Sequence, residues 1–230
     1  MSFRSSITIV ASPRPRVGKT LLARLLADSH LHEGRSVAAF DLNVGERTLV
    51  QFLPEKTTIG TVRDINGQMA LFDHLIADED TTKVIDLGHE SFGFVEEARR
   101  RSVAVAILFT VTPDQTSVEA YRNLRNRFAQ ATLAPVHNEM FGPAQHRDKY
   151  PLAGGSPVMV RLPALAPGLR RYIETPPFSF ADSNMGAAVG IPLDAHIELQ
   201  RWLRRIYLEF RELDLRILLA DFQASIRLDS

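Results

Sequence analysis

Gly18-Lys19-Thr20 carries the side chains best suited to holding a phosphorylated ligand. A lysine ammonium reaches β- and γ-phosphates as a point charge, and a threonine hydroxyl at the mouth of a helix ligates Mg²⁺. The setting suits this chemistry. The apolar run Ile7-Thr8-Ile9-Val10-Ala11 precedes the triplet, the turn-forming stretch Ser12–Val17 leads into it, and the helix formers Leu21–Ala27 follow. Strand, loop and helix in that order make a phosphate-binding loop. In it the N–H groups of Arg16, Val17, Gly18, Lys19, Thr20 and Leu21 converge where the helix dipole favours negative charge. Two carboxylates, Asp41 and Asp86, end further apolar stretches and are expected, with Thr20, to contact the metal, the aspartates through water. Each also has a purely structural use as a loop cap. Gly88 follows the second of them, and Asn138 ends another strand-like run.

Two residues depart from the usual loop. In the pattern G-x-x-x-x-G-K-[ST] the first glycine falls on Pro13, and Pro15 lies within the loop. Neither proline has an N–H to offer, and neither can adopt positive φ. Nucleotide binding is still expected, with its tightness set by how the prolines are accommodated.

These groups need a scaffold, and the chain supplies one. Extended segments are expected near residues 7–11, 36–41, 58–62, 83–88, 103–111, 132–138 and 158–163. Helices are expected after Thr20, over 70–76, 92–101 and 117–130, and across 194–227. Residues 164–190 read as Pro- and Gly-rich and without periodicity. Val103–Val111 is apolar throughout, as a strand covered on both faces should be. Strands alternating with helices predict a doubly wound α/β sheet, mostly parallel and flanked by helices, in one domain spanning 1–230. Ligands bind at the carboxyl edge of such sheets, where Asp41 and Asp86 lie.

Composition removes several classes of function. The chain has 230 residues and a formal net charge of zero, so no bulk field draws it to nucleic acid or anionic membrane. It contains no cysteine, which excludes disulfides and thiolate metal sites and agrees with a cytoplasmic location. No signal-peptide pattern opens it, and no stretch has the length of a membrane span. The histidines lack zinc-ligand spacing, and no G-x-S-x-G elbow is present.

With these motifs assembled, the chain resembles the ParA/MinD branch of P-loop ATPases (SIMIBI class), which has a deviant Walker A loop of the form G-K-G-G-x-G-K-T. The matching residues here are Pro13-Arg14-Pro15-Arg16-Val17-Gly18-Lys19-Thr20. The stretch from Val37 to Leu49 looks like the family's first switch, Val84-Ile85-Asp86-Leu87-Gly88 like its Walker B and second switch, and Thr110–Val118 like its "V-T-x-P-[ED]-x-x-S-V" segment. Asn138 stands where the family places an asparagine on adenine. The resemblance implies a homodimer sandwiching two ATP molecules with Mg²⁺. It also implies that Arg14, at the position of the family's extra lysine, or else Arg16, reaches the phosphates of the other subunit. Asn43 replaces the second aspartate of D-x-D, which helps place the attacking water. An amide cannot take a proton at neutral pH, so hydrolysis is expected to be slow or absent.

The implied function is an ATP-dependent dimerisation switch used in spatial positioning or partition, presenting a surface to a partner protein, to DNA or to a membrane. Two other readings stand beside it. One is a degenerate scaffold of the same fold. The other is an ATP-dependent metabolic enzyme of the cobyrinate-synthase or dethiobiotin-synthase kind, which the lack of a glutaminase segment weakens in its amidoligase form. The C-terminal helix carries Leu199, Trp202, Leu203, Ile206, Phe210 and Leu213 at helical spacing, among arginines and glutamates. It is expected to pack on the domain or a partner subunit in preference to lying on a membrane.

Overall fold

The computed structural model describes residues 7–78, 80–101, 103, 105–128, 133–142, 159–184 and 190–228. Seven strands form one sheet: β1 (Ile7–Ala11), β2 (Val37–Asp41), β3 (Thr57–Ile59), β4 (Thr82–Asp86), β5 (Val105–Val111), β6 (Leu133–Asn138) and β7 (Val160–Leu162). Their order is β3-β2-β4-β1-β5-β6-β7, and every pairing is parallel. The expected "mostly parallel" sheet is wholly parallel among the described residues.

Alternation along the strands feeds two cores. Val10, Val84 and Leu108 point to one face, where they meet α1 (Lys19–His32), α6 (Pro167–Ile173), α7 (Phe180–Asn184) and α8 (Leu193–Leu228). Ile9, Ile85, Ile107 and Phe109 point to the other, under α3 (Ile65–Ile76), α4 (Phe94–Arg100) and α5 (Gln115–Arg127). Strands buried on both faces are apolar at nearly every position, which is why β1 and β5 read as hydrophobic runs interrupted only by Thr8 and Thr110. A four-residue helix, α2 (Leu49–Phe52), follows β2 on the α1 side and buries Leu49.

Several elements differ from the sequence expectation for local reasons. Helix α3 starts at Ile65, earlier than 70, because the Asp64 side chain accepts from the Gly67 N–H at 2.8 Å and caps it. The stretch 164–190 contains α6, begun by Pro167 at its first turn, and α7. Both are shorter than the window over which a hydrophobic period becomes visible. Residues 143–158 lie outside the described residues.

Helix α8 packs as expected. Leu199, Trp202, Leu203, Ile206 and Phe210 join the α1-side core, and Trp202 Nε1 donates to the Pro163 carbonyl at 3.0 Å. Glu209 accepts from the Arg161 N–H and Nε at 3.0 and 3.2 Å, fastening the helix to β7. Among the described residues no helix is long and apolar enough to cross a membrane.

Candidate functional site

Register decides which groups meet. β1 lies between β4 and β5 at the centre of the sheet, and the loop leaving its carboxyl end opens α1. Asp86 pairs in register with Val10 on one side and with Asp41 on the other. Neighbouring parallel strands lie about 4.8 Å apart, so the two carboxylates stand side by side next to the loop.

The loop Ser12–Gly18 enters α1 through Gly18, whose φ is 90°. Only glycine takes that conformation without strain. Space imposes the same choice, because a Cβ there would lie 2.7 Å from Asn138 Nδ2. Arg16 also has positive φ, at 57°. Among the described residues no side chain caps α1, so the N–H groups of Lys19, Thr20 and Leu21 face outward from its first turn. Lys19 is 7% exposed, and its Nζ donates to the Arg14 carbonyl at 2.8 Å, folding back across the loop. Burial lowers the Lys19 pKa, against the pull of the Asp86 and Glu90 charges.

Thr20 Oγ1 donates to Asp86 Oδ2 at 2.6 Å and stands 3.3 Å from Thr48 Oγ1. Its single proton is spent on Asp86, so Thr48 is the donor between the two hydroxyls. Asn43 Nδ2 donates to Asp86 Oδ2 at 2.8 Å and to Asp41 Oδ1 at 3.1 Å, bridging the carboxylates. Asp41 Oδ1 also accepts from the Asn43 N–H at 3.1 Å. Its Oδ2 accepts from the N–H groups of Leu49 and Val50 at 2.9 and 3.3 Å. Four donors fill the acceptor capacity of one carboxylate. Asp41 therefore acts as the cap of α2, the structural use that its place in the sequence also allowed. Asp86 is fully buried, and its Oδ1 has no hydrogen-bond partner among the described residues. A buried, orphaned carboxylate oxygen beside a threonine hydroxyl and an open helix N-terminus is a donor set that fits a hydrated Mg²⁺ with its phosphates.

Burial pushes the Asp86 pKa up to about 6, and Asp41 adds to this, while Thr20, Asn43 and Lys19 oppose it. A carboxyl whose pKa rises on folding contributes stability below its unfolded pKa of 3.8 and loses it as pH climbs through about 6. Asp86→Asn is therefore expected to raise the melting temperature of the ligand-free protein at pH 7–8. The same change should remove magnesium-dependent nucleotide binding. Thermal melts across pH 4–8, run beside a nucleotide titration, check both halves; a variant that melts lower at pH 8 contradicts the assignment.

Gly88, Asn138, Arg14 and Arg16 also lie at the carboxyl edge of the sheet. Gly88 packs against the end of β2, where a Cβ would lie 3.1 Å from both the Asn43 Cα and the Leu42 carbonyl oxygen. Asn138 is buried behind the loop; its Nδ2 donates to the Val17 carbonyl at 3.2 Å and its Oδ1 accepts from the Met140 N–H at 3.0 Å. One amide hydrogen and one lone pair are left unused by these two bonds. Arg14 is held within its own chain by Asp114 and Thr116. Arg16 is exposed and forms no ion pair among the described residues. Sequence reasoning assigned no role to Thr48, Asp114 or Thr116. Their partners lie 28, 100 and 102 positions away, and no local pattern encodes contacts at that range.

No protein-family model and no curated protein matches the chain. Solved structures do. A chain of the MinC:MinD cell division protein complex of Aquifex aeolicus aligns with a TM-score of 0.58 at 16% identity, over 87% of this chain and 96% of that one. The MinD cell division protein of Aquifex aeolicus aligns with a TM-score of 0.53 at 18% identity, over 87% and 97%. At such identities the likeness is one of architecture: the chain has the P-loop NTPase fold of these structures.

Proposed function

We propose that this protein binds ATP with Mg²⁺ and works as a slowly hydrolysing dimerisation switch of the ParA/MinD type, positioning a cargo through a partner protein or DNA. The observation that carries the reading is the pairing of the uncapped first turn of α1 with the open Oδ1 of Asp86, on either side of Thr20. Lys19 and the N–H groups of residues 17–21 would hold the phosphates, and Thr20 and Asp86 the hydrated metal. Bound Mg²⁺ would supply charge neutralisation between the β- and γ-phosphates. Lys19, freed from the Arg14 carbonyl, would add its own positive charge.

The first switch is wired to this site. Thr48 touches Thr20, and Asp41 holds the N-terminus of α2. Ligand contacts at Thr20 and Asp86 would therefore bias the loop 42–48, the segment that would present a nucleotide-dependent surface to a second copy or a partner. Sedimentation of the protein with and without magnesium–ATP tests the switch. Gain of dimer with nucleotide supports it, and no binding up to millimolar ATP returns the chain to a scaffold.

Asn43 sets the expected tempo. Its amide donates to both carboxylates and offers no base, so phosphate release should be slow. Asn43→Asp is expected to raise that rate. It should also destabilise the ligand-free protein by about 1–3 kcal/mol, because two buried acceptors lose a donor and gain a third negative neighbour. Phosphate-release assays and urea unfolding check the two effects, and a brisk wild-type rate contradicts the reading.

A further inference from the structure

Arg14 has a partner that phosphate chemistry does not require. Its Nε donates to Asp114 Oδ1 at 2.9 Å, and its Nη2 lies in ion-pair contact 2.8 Å from the same oxygen while donating to Thr116 Oγ1 at 3.3 Å. Asp114 is itself fixed. Oδ1 caps α5 by accepting from the Ser117 N–H at 3.1 Å, and Oδ2 accepts from Thr112 Oγ1 at 2.6 Å. Burial alone would raise the Asp114 pKa, but the donors from Arg14, Thr112 and Ser117 hold it down at about 2. At the main chain, the Arg14 carbonyl accepts from Lys19 Nζ at 2.8 Å. Residue 14 is thus tied at both ends, between two prolines that fix φ and provide no N–H with which the loop tip can bind itself.

We propose that Arg14 is a positioning residue acting within its own protomer: the Arg14–Asp114 pair pins the proline-containing loop in the curvature that brings Lys19 and the first turn of α1 to one point. The resemblance to deviant Walker A loops assigns this position to a contact across a dimer, whereas the geometry here turns the guanidinium onto the first turn of α5. Arg16, exposed and without an ion pair among the described residues, is the loop arginine left to reach a second copy. The purpose of the latch rests on the nucleotide reading, but its existence does not.

Trypsin supplies a test on the ligand-free, full-length protein. The Arg14–Pro15 bond resists cleavage because proline follows it, so the Arg16–Val17 bond reports how often the loop opens. Asp114→Asn retains an N-cap for α5 while removing the charge. Arg14→Ala removes the other partner. Each variant should cleave about fivefold faster than wild type, the size expected of one exposed charge pair. The double variant should cleave no faster than the quicker single one, since the two changes break the same contact. About 0.5 M salt should speed cleavage of wild type and leave the variants unchanged. Binding of inorganic tripolyphosphate, measured where sedimentation shows monomer, should fall by a similar factor in Arg14→Ala.

Unchanged cleavage in both single variants, strictly additive effects, or an Arg14 defect seen only where dimers form would each overturn the proposal. If cleavage follows the expected pattern while no protein binds tripolyphosphate or ATP, the latch stands and the nucleotide reading fails.

Discussion

Lys19→Ala should weaken magnesium–ATP binding by about 100-fold, the loss of two charge-assisted hydrogen bonds at ~1.5 kcal/mol each. In the ligand-free protein the Lys19 ammonium is buried beneath the loop, and among the described residues its hydrogen-bond acceptor is the Arg14 carbonyl. Burial lowers its pKa, and the Asp86 and Glu90 charges only oppose that effect. A triphosphate would give the ammonium anionic oxygens as hydrogen-bond acceptors. Removing the lysine from the ligand-free state also relieves the burial of a charge, so thermal stability should hold or rise. A titration with a fluorescent ATP analogue, paired with a thermal melt, separates loss of binding from loss of fold. Unaltered affinity in Lys19→Ala would remove the basis of the proposed switch.

Arg24→Ala should cost about 3 kcal/mol of stability, the range seen when one member of a buried charged network is removed. Arg24 is 3% exposed, and its guanidinium lies 3.5 Å from the Phe52 ring centroid and 4.9 Å from that of Phe180. Its Nη2 donates to the Ile173 and Phe178 carbonyls at 2.9 and 3.3 Å. One turn on, Asp28 accepts from the Phe180 N–H at 2.7 Å and from Ser179 Oγ at 2.9 Å. These two residues fasten α1 to the segment 173–181. Arg24→Lys should rescue little, because an ammonium neither stacks on Phe52 nor reaches two carbonyls in one plane.

The deficit should also depend on pH. Burial raises the Asp28 pKa to about 6, and Arg24 is among the groups opposing that rise. A raised carboxyl pKa withdraws stability as pH climbs from about 4 through about 6. Without Arg24 the rise is larger and extends further upward. Urea unfolding should therefore show a greater deficit at pH 8 than at pH 5. His30 works in the opposite sense in wild type: burial lowers its pKa to about 4, with Arg35 adding to the effect, so it contributes stability as pH rises. An equal deficit at the two pH values would mean that Asp28 is not coupled to Arg24.

Much of this architecture was legible because its signals are local. A β-branched run, a turn-rich stretch and Gly-Lys-Thr lie within fourteen consecutive positions, and each decides its backbone from near neighbours. Carboxylates at the ends of apolar runs placed Asp41 and Asp86 at the sheet edge before any strand order was known. The long period of α8 marked its buried face. The short helices α2, α6 and α7 were missed because four to seven residues carry too little periodicity to register. They exist because tertiary contacts hold them, Asp41 capping α2 and Arg24 reaching the last carbonyl of α6.

Residue types and spacing by themselves determined the fold class, the identity of the loop and the set of polar groups gathered around it. Only the tertiary structure decided how those groups divide the work. Asp41 caps a helix while Asp86 keeps an oxygen open, Asn43 bridges the two, and Arg14 turns to Asp114. The physical reason is range. These choices are made by hydrogen bonds joining residues 43, 66, 100 and 149 positions apart, and such pairs meet only after strand register and helix packing have brought them together.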